Sequence, residues 1–210
     1  MRLRHIAGAR EAVDNHPLVV AETKALTMAG NWQNCFAVRQ PLVLEIGMGR
    51  GRFLTALAQQ QSGYNHIGLE LREETILDAL ARVQDTACDN LRFLHAHAEH
   101  LAEIFAQGEV ERIYLLFSDP WPKKRHAKRR LTAPSFLALY KQILAPEGEL
   151  IYKTDGEEFY DWSTEMFTAA GWRLQESSRN RPEQPGEVIS EYETRFRKKG
   201  QPIYYARYKP

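Results

Sequence analysis

A chain of 210 residues, 43% of them hydrophobic, is long enough to bury the core of one domain, and no apolar run in it reaches membrane length. Arg2 and Arg4 precede no apolar leader, and Cys35 and Cys88 stand alone; this excludes a disulfide framework and a C-x-x-C site, and suits a reducing, cytoplasmic setting. The formal charge of +1 divides unevenly: residues 123–130 carry +6 and the other 202 about −5, so the positive charge reads as a local footprint for a polyanion.

Residues 1–40 give a weak pattern punctuated by Pro17, Gly30 and Trp32, read as an arm or cover segment in which Arg2, Arg4 and Arg10 are candidates for touching nucleic acid. From Pro41 onward strand and helix patterns alternate, which predicts one α/β domain over 41–210 with a mostly parallel sheet. Leu42–Ile46 is a continuous apolar strand, and Gly47-Met48-Gly49-Arg50-Gly51 leads into a helix with Phe53, Leu54, Leu57 and Ala58 on one face. A strand over 64–69 ends at Glu70, a helix spans 73–87, a strand spans 91–94, and a short helix spans 99–105. After the strand at 113–117, Thr132 is the expected N-cap of a helix bearing Phe136, Leu137, Tyr140 and Leu144. Pro146-Glu147-Gly148 turns into a strand over 149–154 ending on Asp155. A helix with Phe159, Trp162, Met166 and Phe167 stops before Gly171, strands follow over 172–176 and 203–208, and 179–186 is the longest loop.

The most informative stretch is 113–131. The run Ile113-Tyr114-Leu115-Leu116-Phe117 is short enough for a buried strand, and Asp119-Pro120-Trp121-Pro122 breaks it, because two prolines forbid both helix and ladder pairing. Lys123, Lys124, Arg125, Lys128, Arg129 and Arg130 follow, with His126 among them. A carboxylate at a strand exit, a stiff aromatic turn and a dense cationic cluster therefore share one place, and in an open α/β sheet ligands bind beyond the strand ends.

The glycine loop lets backbone approach a ligand closely and leaves helix-terminal N–H groups available. A nicotinamide fingerprint would want glycine or alanine at position 52, where Arg52 stands. Glu70 can accept from both hydroxyls of a ribose in either kind of site. An acid two residues before the first glycine, Glu45-x-Gly47-x-Gly49-x-Gly51, resembles the first motif of Rossmann-like methyltransferases that use S-adenosylmethionine. His95-x-His97-x-x-His100 lacks a fourth ligand at a recognisable spacing, so no metal is expected.

With both motifs placed, the sequence from about Pro41 to its end resembles the bacterial tRNA (guanine-N7-)-methyltransferases. The most specific part is Ser118-Asp119-Pro120-Trp121-Pro122-Lys123-Lys124-Arg125-His126 followed by Lys128-Arg129-Arg130. The resemblance implies a doubly wound, mostly parallel, seven-stranded sheet with helices on both faces, S-adenosyl-L-methionine as cofactor, and the variable-loop guanine at position 46 of tRNA as substrate. It implies that Glu45, Gly47, Gly49, Gly51, Glu70 and His97 hold the cofactor, that Asp119 is catalytic beside it, and that Lys123 and Asp155 face the substrate. The family's T-x-[FY]-E motif aligns with Ser190-Glu191-Tyr192-Glu193, which carries Ser190 and Glu193 over as substrate residues. Lys124, Arg125, Lys128, Arg129 and Arg130 would meet tRNA phosphates; neither a membrane nor an obligate protein partner is implied.

Two departures stand out: His97 replaces an Asp or Asn that faces adenine, and the first forty residues match poorly. The chemistry needs no acid–base pair, since guanine N7 carries a lone pair and no proton, and no Ser-His-Asp set or cysteine nucleophile is evident. Two rival expectations remain at this point: a non-catalytic RNA-binding module on the same fold, and another S-adenosylmethionine enzyme, such as an amino-methylase with an N-P-P-Y-like motif. Against the second, the strand at 113 is followed by Ser118-Asp119-Pro120-Trp121, without the asparagine.

Overall fold

The computed structural model describes residues 6–83 and 88–210, so Arg2, Arg4 and the last turn of the helix expected over 73–87 lie outside the described residues. The strands are β1 (Val19–Ala21), β2 (Leu42–Ile46), β3 (Asn65–Glu70), β4 (Leu91–His95), β5 (Val110–Leu116), β6 (Leu144–Thr154), β7 (Arg173–Ser178) and β8 (Tyr204–Lys209). The helices are α1 (Ala9–Asp14), α2 (Glu22–Ala25), α3 (Arg52–Gln60), α4 (Glu73–Val83), α5 (Leu101–Ile104), α6 (Pro134–Ile143), α7 (Glu157–Ala169) and α8 (Glu191–Lys198).

All eight strands join one sheet in the order β1-β4-β3-β2-β5-β6-β8-β7. Pairing is parallel from β1 through β6, and β8 runs antiparallel between β6 and β7. The chain winds outward from β2 in one direction and then, from β5, in the other. The crevice between the ends of β2 and β5 is therefore the switch point, where an open α/β sheet binds its ligand.

Every residue of β2 is buried, as a central parallel strand covered on both faces must be. Leu42, Leu44 and Ile46 face the main core with Phe136, Leu137 and Tyr140 of α6 and Phe159 and Phe167 of α7. The alternate residue Val43 faces Phe53 and Leu57 of α3 together with Tyr114 and Leu116.

The sequence expectation of seven strands misses β1. This three-residue strand lies in the N-terminal segment and pairs parallel to β4, Val19 opposite Phe93 and Ala21 opposite His95. Trp32 of the same segment is fully buried, stacks on Phe105 with centroids 4.9 Å apart, and donates its indole N–H to the Ile104 carbonyl at 2.9 Å. Thr132 is not the cap of α6: its hydroxyl is buried against Ser163 Oγ at 2.9 Å, and Ala133 takes the N-cap position without a side-chain bond. Helix α8 has no counterpart in the sequence expectation.

Candidate active site

Glu45, next to last in β2, has 3% of its surface exposed, and its Oε2 has no hydrogen-bond partner among the described residues. Burial pushes its carboxyl well above the usual carboxylate range, and the nearby Glu70 charge adds to that. The chain then turns through Gly47, Gly49 and Gly51, all in the left-handed region. Gly51 is the N-cap of α3 at φ 67°, and a Cβ there would lie 3.0 Å from Ala79 Cβ, so the turn and the packing of α4 both require glycine. Across the loop, a Cβ on Gly68 of β3 would come within 2.7 Å of Leu54 Cδ2 and closer still to Met48 Sδ, which presses β3 against the loop.

Glu70 ends β3 and ties the loop to it. Its Oε2 accepts the Gly49 N–H at 3.1 Å, and its Oε1 accepts those of Leu71 and Arg72 at 2.9 and 3.1 Å. The Gly49 amide is thus not free for a ligand, as the loop alone suggests. Burial raises the Glu70 carboxyl, with these backbone donors pulling the other way. Its Oε2 still has a lone pair open to a hydroxyl donor.

On the β4 side, the turn after His95 is held by the N-terminal segment. Glu22 Oε2 accepts the His97 backbone N–H at 2.9 Å, and Glu22 Oε1 meets His100 Nδ1 at 2.5 Å. Burial alone pushes the Glu22 carboxyl up, but these two partners outweigh it and leave it below its ordinary value. His95 Nδ1 meets Asp14 Oδ1 at 2.6 Å, with Glu73 Oε1 3.8 Å from its other ring nitrogen. Two of the three histidines are therefore engaged by carboxylates of flanking elements, and the His97 side chain is exposed. Among the described residues no three His, Cys, Asp or Glu side chains are grouped to hold a metal ion.

The exit of β5 carries two non-glycine residues in the left-handed region, Phe117 at φ 52° and Trp121 at φ 41°. Each costs on the order of 1–3 kcal/mol and persists only where its surroundings over-determine it. Phe117 donates its N–H to the Lys153 carbonyl at 2.9 Å, and its ring packs on Phe196 and Tyr192 of α8, with centroids 5.6 and 6.4 Å away. The Trp121 turn is clamped by Arg130, whose Nε donates to the Pro120 carbonyl at 2.8 Å and whose Nη2 donates to that of Trp121 at 3.2 Å. The Arg130 guanidinium lies 4.2 Å from the centre of the Trp162 ring. Arg129 lies 5.2 Å from the Trp121 ring, and the His126 ring meets it edge-on.

Asp119 sits between these two strained residues, exposed, with no hydrogen bond or ion pair among the described residues. The cationic cluster forms a short 3-10 turn, Lys124–Arg129, with Lys123 as its N-cap. Lys123, Lys124, Arg125, Lys128 and Arg129 are exposed, whereas Arg130 is committed to the turn. Asp155, half-buried, directly follows the last residue of β6, beside the exit of β5.

Ser190 and Glu193 both have partners within the fold. Ser190 Oγ caps α8 by accepting the Glu193 N–H at 3.1 Å. Glu193 is 1% exposed; its Oε2 accepts from Lys153 Nζ at 2.9 Å, and its Oε1 accepts from the Arg197 guanidinium, Nε at 3.0 Å. Lys153 also reaches Glu187 Oε1 at 2.8 Å. A cavity of about 430 Å³ opens beside this network, lined by Arg112, Glu149, Lys153, Arg181 and Glu187 among others, on the sheet face rather than at the strand ends.

The donor set fits S-adenosylmethionine. An orphaned, buried carboxylate oxygen on Glu45 suits an ammonium group, Glu70 suits a ribose hydroxyl, and the glycine loop leaves the close approach that the methionine end needs. An open sheet wound from its centre, with this loop and these two acids at the switch point, defines a Rossmann-like methyltransferase. The family model described as "Putative methyltransferase" matches residues 39–206. The chain is 42% identical over 207 residues to the tRNA (guanine-N(7)-)-methyltransferase of Lachnoclostridium phytofermentans, covering 97% of this chain and 96% of that one. It is 39% identical over 206 residues to the protein of the same name from Streptococcus mutans, with 97% of both chains covered. Among solved structures, the 16S rRNA methyltransferase KamB aligns over 86% of this chain and 94% of its own with a TM-score of 0.63 at 17% identity. A SAM-dependent methyltransferase from Aquifex aeolicus aligns over 96% of both chains with a TM-score of 0.58 at 14% identity. The chain belongs to the tRNA (guanine-N7-)-methyltransferase family.

Proposed function

We propose that this protein transfers a methyl group from S-adenosyl-L-methionine to N7 of guanine 46 in the variable loop of tRNA. The observation that carries the proposal is Asp119, a carboxylate without a partner among the described residues, fixed by two strained residues at the switch point, between the cofactor loop and a cationic margin. Near full-length likeness to relatives named for this reaction supports it.

Glu45, Gly47, Gly49, Gly51, Glu70 and His97 would hold the cofactor, which supplies an electrophilic methyl group on a positively charged sulfur. Guanine N7 carries a lone pair and no proton, so it would accept that methyl group without any residue here having to move a proton. Aligning these atoms can supply roughly 7–11 kcal/mol of the barrier. Positive charge arrives on the purine during the step, and Asp119 would stabilise it there. Lys123 and Asp155 would face the substrate, while Lys124, Arg125, Lys128 and Arg129 would meet phosphates. Arg130 would hold the Pro120–Trp121 turn, and Ser190 and Glu193, expected at the substrate, would also hold α8. Among the described residues no helix is long and apolar enough to cross a membrane.

Incubation with methyl-labelled S-adenosylmethionine and bulk tRNA, followed by nuclease digestion and mapping, tests this. Labelled 7-methylguanosine at the variable loop is the expected product. Label on another base or atom, or none, would overturn the assignment.

A further inference from the structure

Helix α8 and its C-cap Lys199 carry three cations that make no ion pair among the described residues. Arg195, Lys198 and Lys199 are exposed, and none makes an ion pair among the described residues. The contrast with their neighbours is sharp. Between Lys153 and Lys209, every other cation is tied down: Lys153 to Glu187 and Glu193, Arg179 to Glu157 and Asp161, Arg181 to Glu176 and Glu187, Arg197 to Glu193, Arg207 to Glu149 and Glu176, and Lys209 to Glu147. Arg173 is bonded to the carbonyl of Pro210. The only acid exposed on α8 itself is Glu191.

The helix is also fixed and placed. Its first turn is capped by Ser190, its Glu193 is anchored on Lys153 of β6, and Tyr192 and Phe196 pack on Phe117. Phe117 begins the strained exit that presents Asp119 two residues later. By helical spacing, Arg195 and Lys199 share the face that carries Tyr192 and Phe196. Arg195 and Lys199 thus share the α8 face that packs on Phe117, two residues before Asp119, and the exposed cations of 123–129 follow Asp119 in the chain.

We infer that α8 is a second, independent contact for the sugar–phosphate backbone of the RNA, so that tRNA is gripped at α8 as well as at 123–129. This rests on the proposed action on tRNA. Phosphates are the fitting partner because three exposed cations without ion pairs among the described residues outnumber the single exposed acid, Glu191. Cations near a helix C-terminus also favour the helix itself, by interaction with its dipole; that effect alone would make no difference to RNA affinity.

The test is the salt dependence of tRNA binding by the full chain, measured by filter binding. The triple variant Arg195→Gln, Lys198→Gln, Lys199→Gln is expected to reduce the slope of log affinity against log salt by about 2, since each phosphate left without its cation removes about 0.7–0.9. Binding of S-adenosylhomocysteine and the single-turnover rate at saturating tRNA should stay within about twofold. The charge-keeping variant Arg195→Lys, Lys198→Arg, Lys199→Arg should retain the wild-type slope. If the triple variant unfolds, Lys198→Gln with Lys199→Gln, confined to the end of the helix, should still reduce the slope by about 1.5. An unchanged slope in a folded variant would overturn the inference, and so would an equal reduction in the charge-keeping variant. Failure of the wild-type protein to bind or methylate tRNA would instead count against the proposed function.

Discussion

Lys153 Nζ donates to Glu193 Oε2 at 2.9 Å, and the two side chains are only 3% and 1% exposed. The pair joins β6 to α8 beneath Phe117. Removing Glu193 leaves the buried Lys153 only its bond to Glu187 and costs up to about 3–5 kcal/mol. Glu193→Ala should therefore lower the midpoint of denaturant unfolding with little change in slope. A variant as stable as wild type that has lost guanine selectivity would return Glu193 to the substrate.

Glu45 predicts a trade between stability and binding. Its folded carboxyl is raised above its unfolded value, so its neutral form is favoured by folding. The contribution is fully present below the unfolded pKa and is lost as pH rises through the folded one. Glu45→Gln should accordingly stabilise the cofactor-free protein more at pH 8 than at pH 5, while weakening S-adenosylmethionine. Thermal melts at the two pH values, paired with calorimetry, check this. A gain independent of pH would show that Glu45 is already ionised in the cofactor-free site.

His66 supplies the opposite limb of the stability profile. It is buried in β3, and burial lowers its pKa from 6.5 to about 4. Above pH 6.5 it costs nothing; as pH falls toward 4 the unfolded chain takes up a proton that the folded one refuses. Stability should drop by on the order of 3 kcal/mol across that window. His66→Leu should flatten the slope in urea unfolding measured between pH 7 and 4, and an unaltered slope would remove His66 as its source.

Glu22 links the N-terminal segment to the turn bearing His97. Glu22→Ala removes both the His97 N–H bond and the His100 bond, and should weaken S-adenosylhomocysteine by roughly fivefold or more, the scale of one or two hydrogen bonds to a charged group. Asp14→Asn, which touches His95 and not that turn, should leave the affinity unchanged. Equal weakening in both variants would mean that the segment matters only for the fold.

Much of this was legible in the sequence. Strand β2 and the glycine loop are visible because a strand buried on both faces must be a continuous apolar run, and because only glycine serves the turn at 51. The Asp119 turn is visible because its prolines and cations are local. Strand β1 is not, since three residues cannot show a period. Helix α8 is polar on nearly every face, with only Glu193 buried; the Ser190-x-x-Glu193 spacing of a capping box was the available signal. The roles of Thr132 and Glu193 are set by Ser163 and Lys153, 31 and 40 residues away, and no local pattern reports such partners.

The most direct test is the single-turnover rate of Asp119→Ala at saturating cofactor, with tRNA binding followed alongside. Asp119 is exposed and has no hydrogen bond or ion pair among the described residues, so the variant should fold as wild type does. Transfer should fall at least about a hundredfold, the scale of one preorganised electrostatic group, while tRNA affinity stays within a fewfold because it rests on many phosphate contacts. Near-normal transfer by the folded variant would contradict the account and leave Asp119 a turn residue.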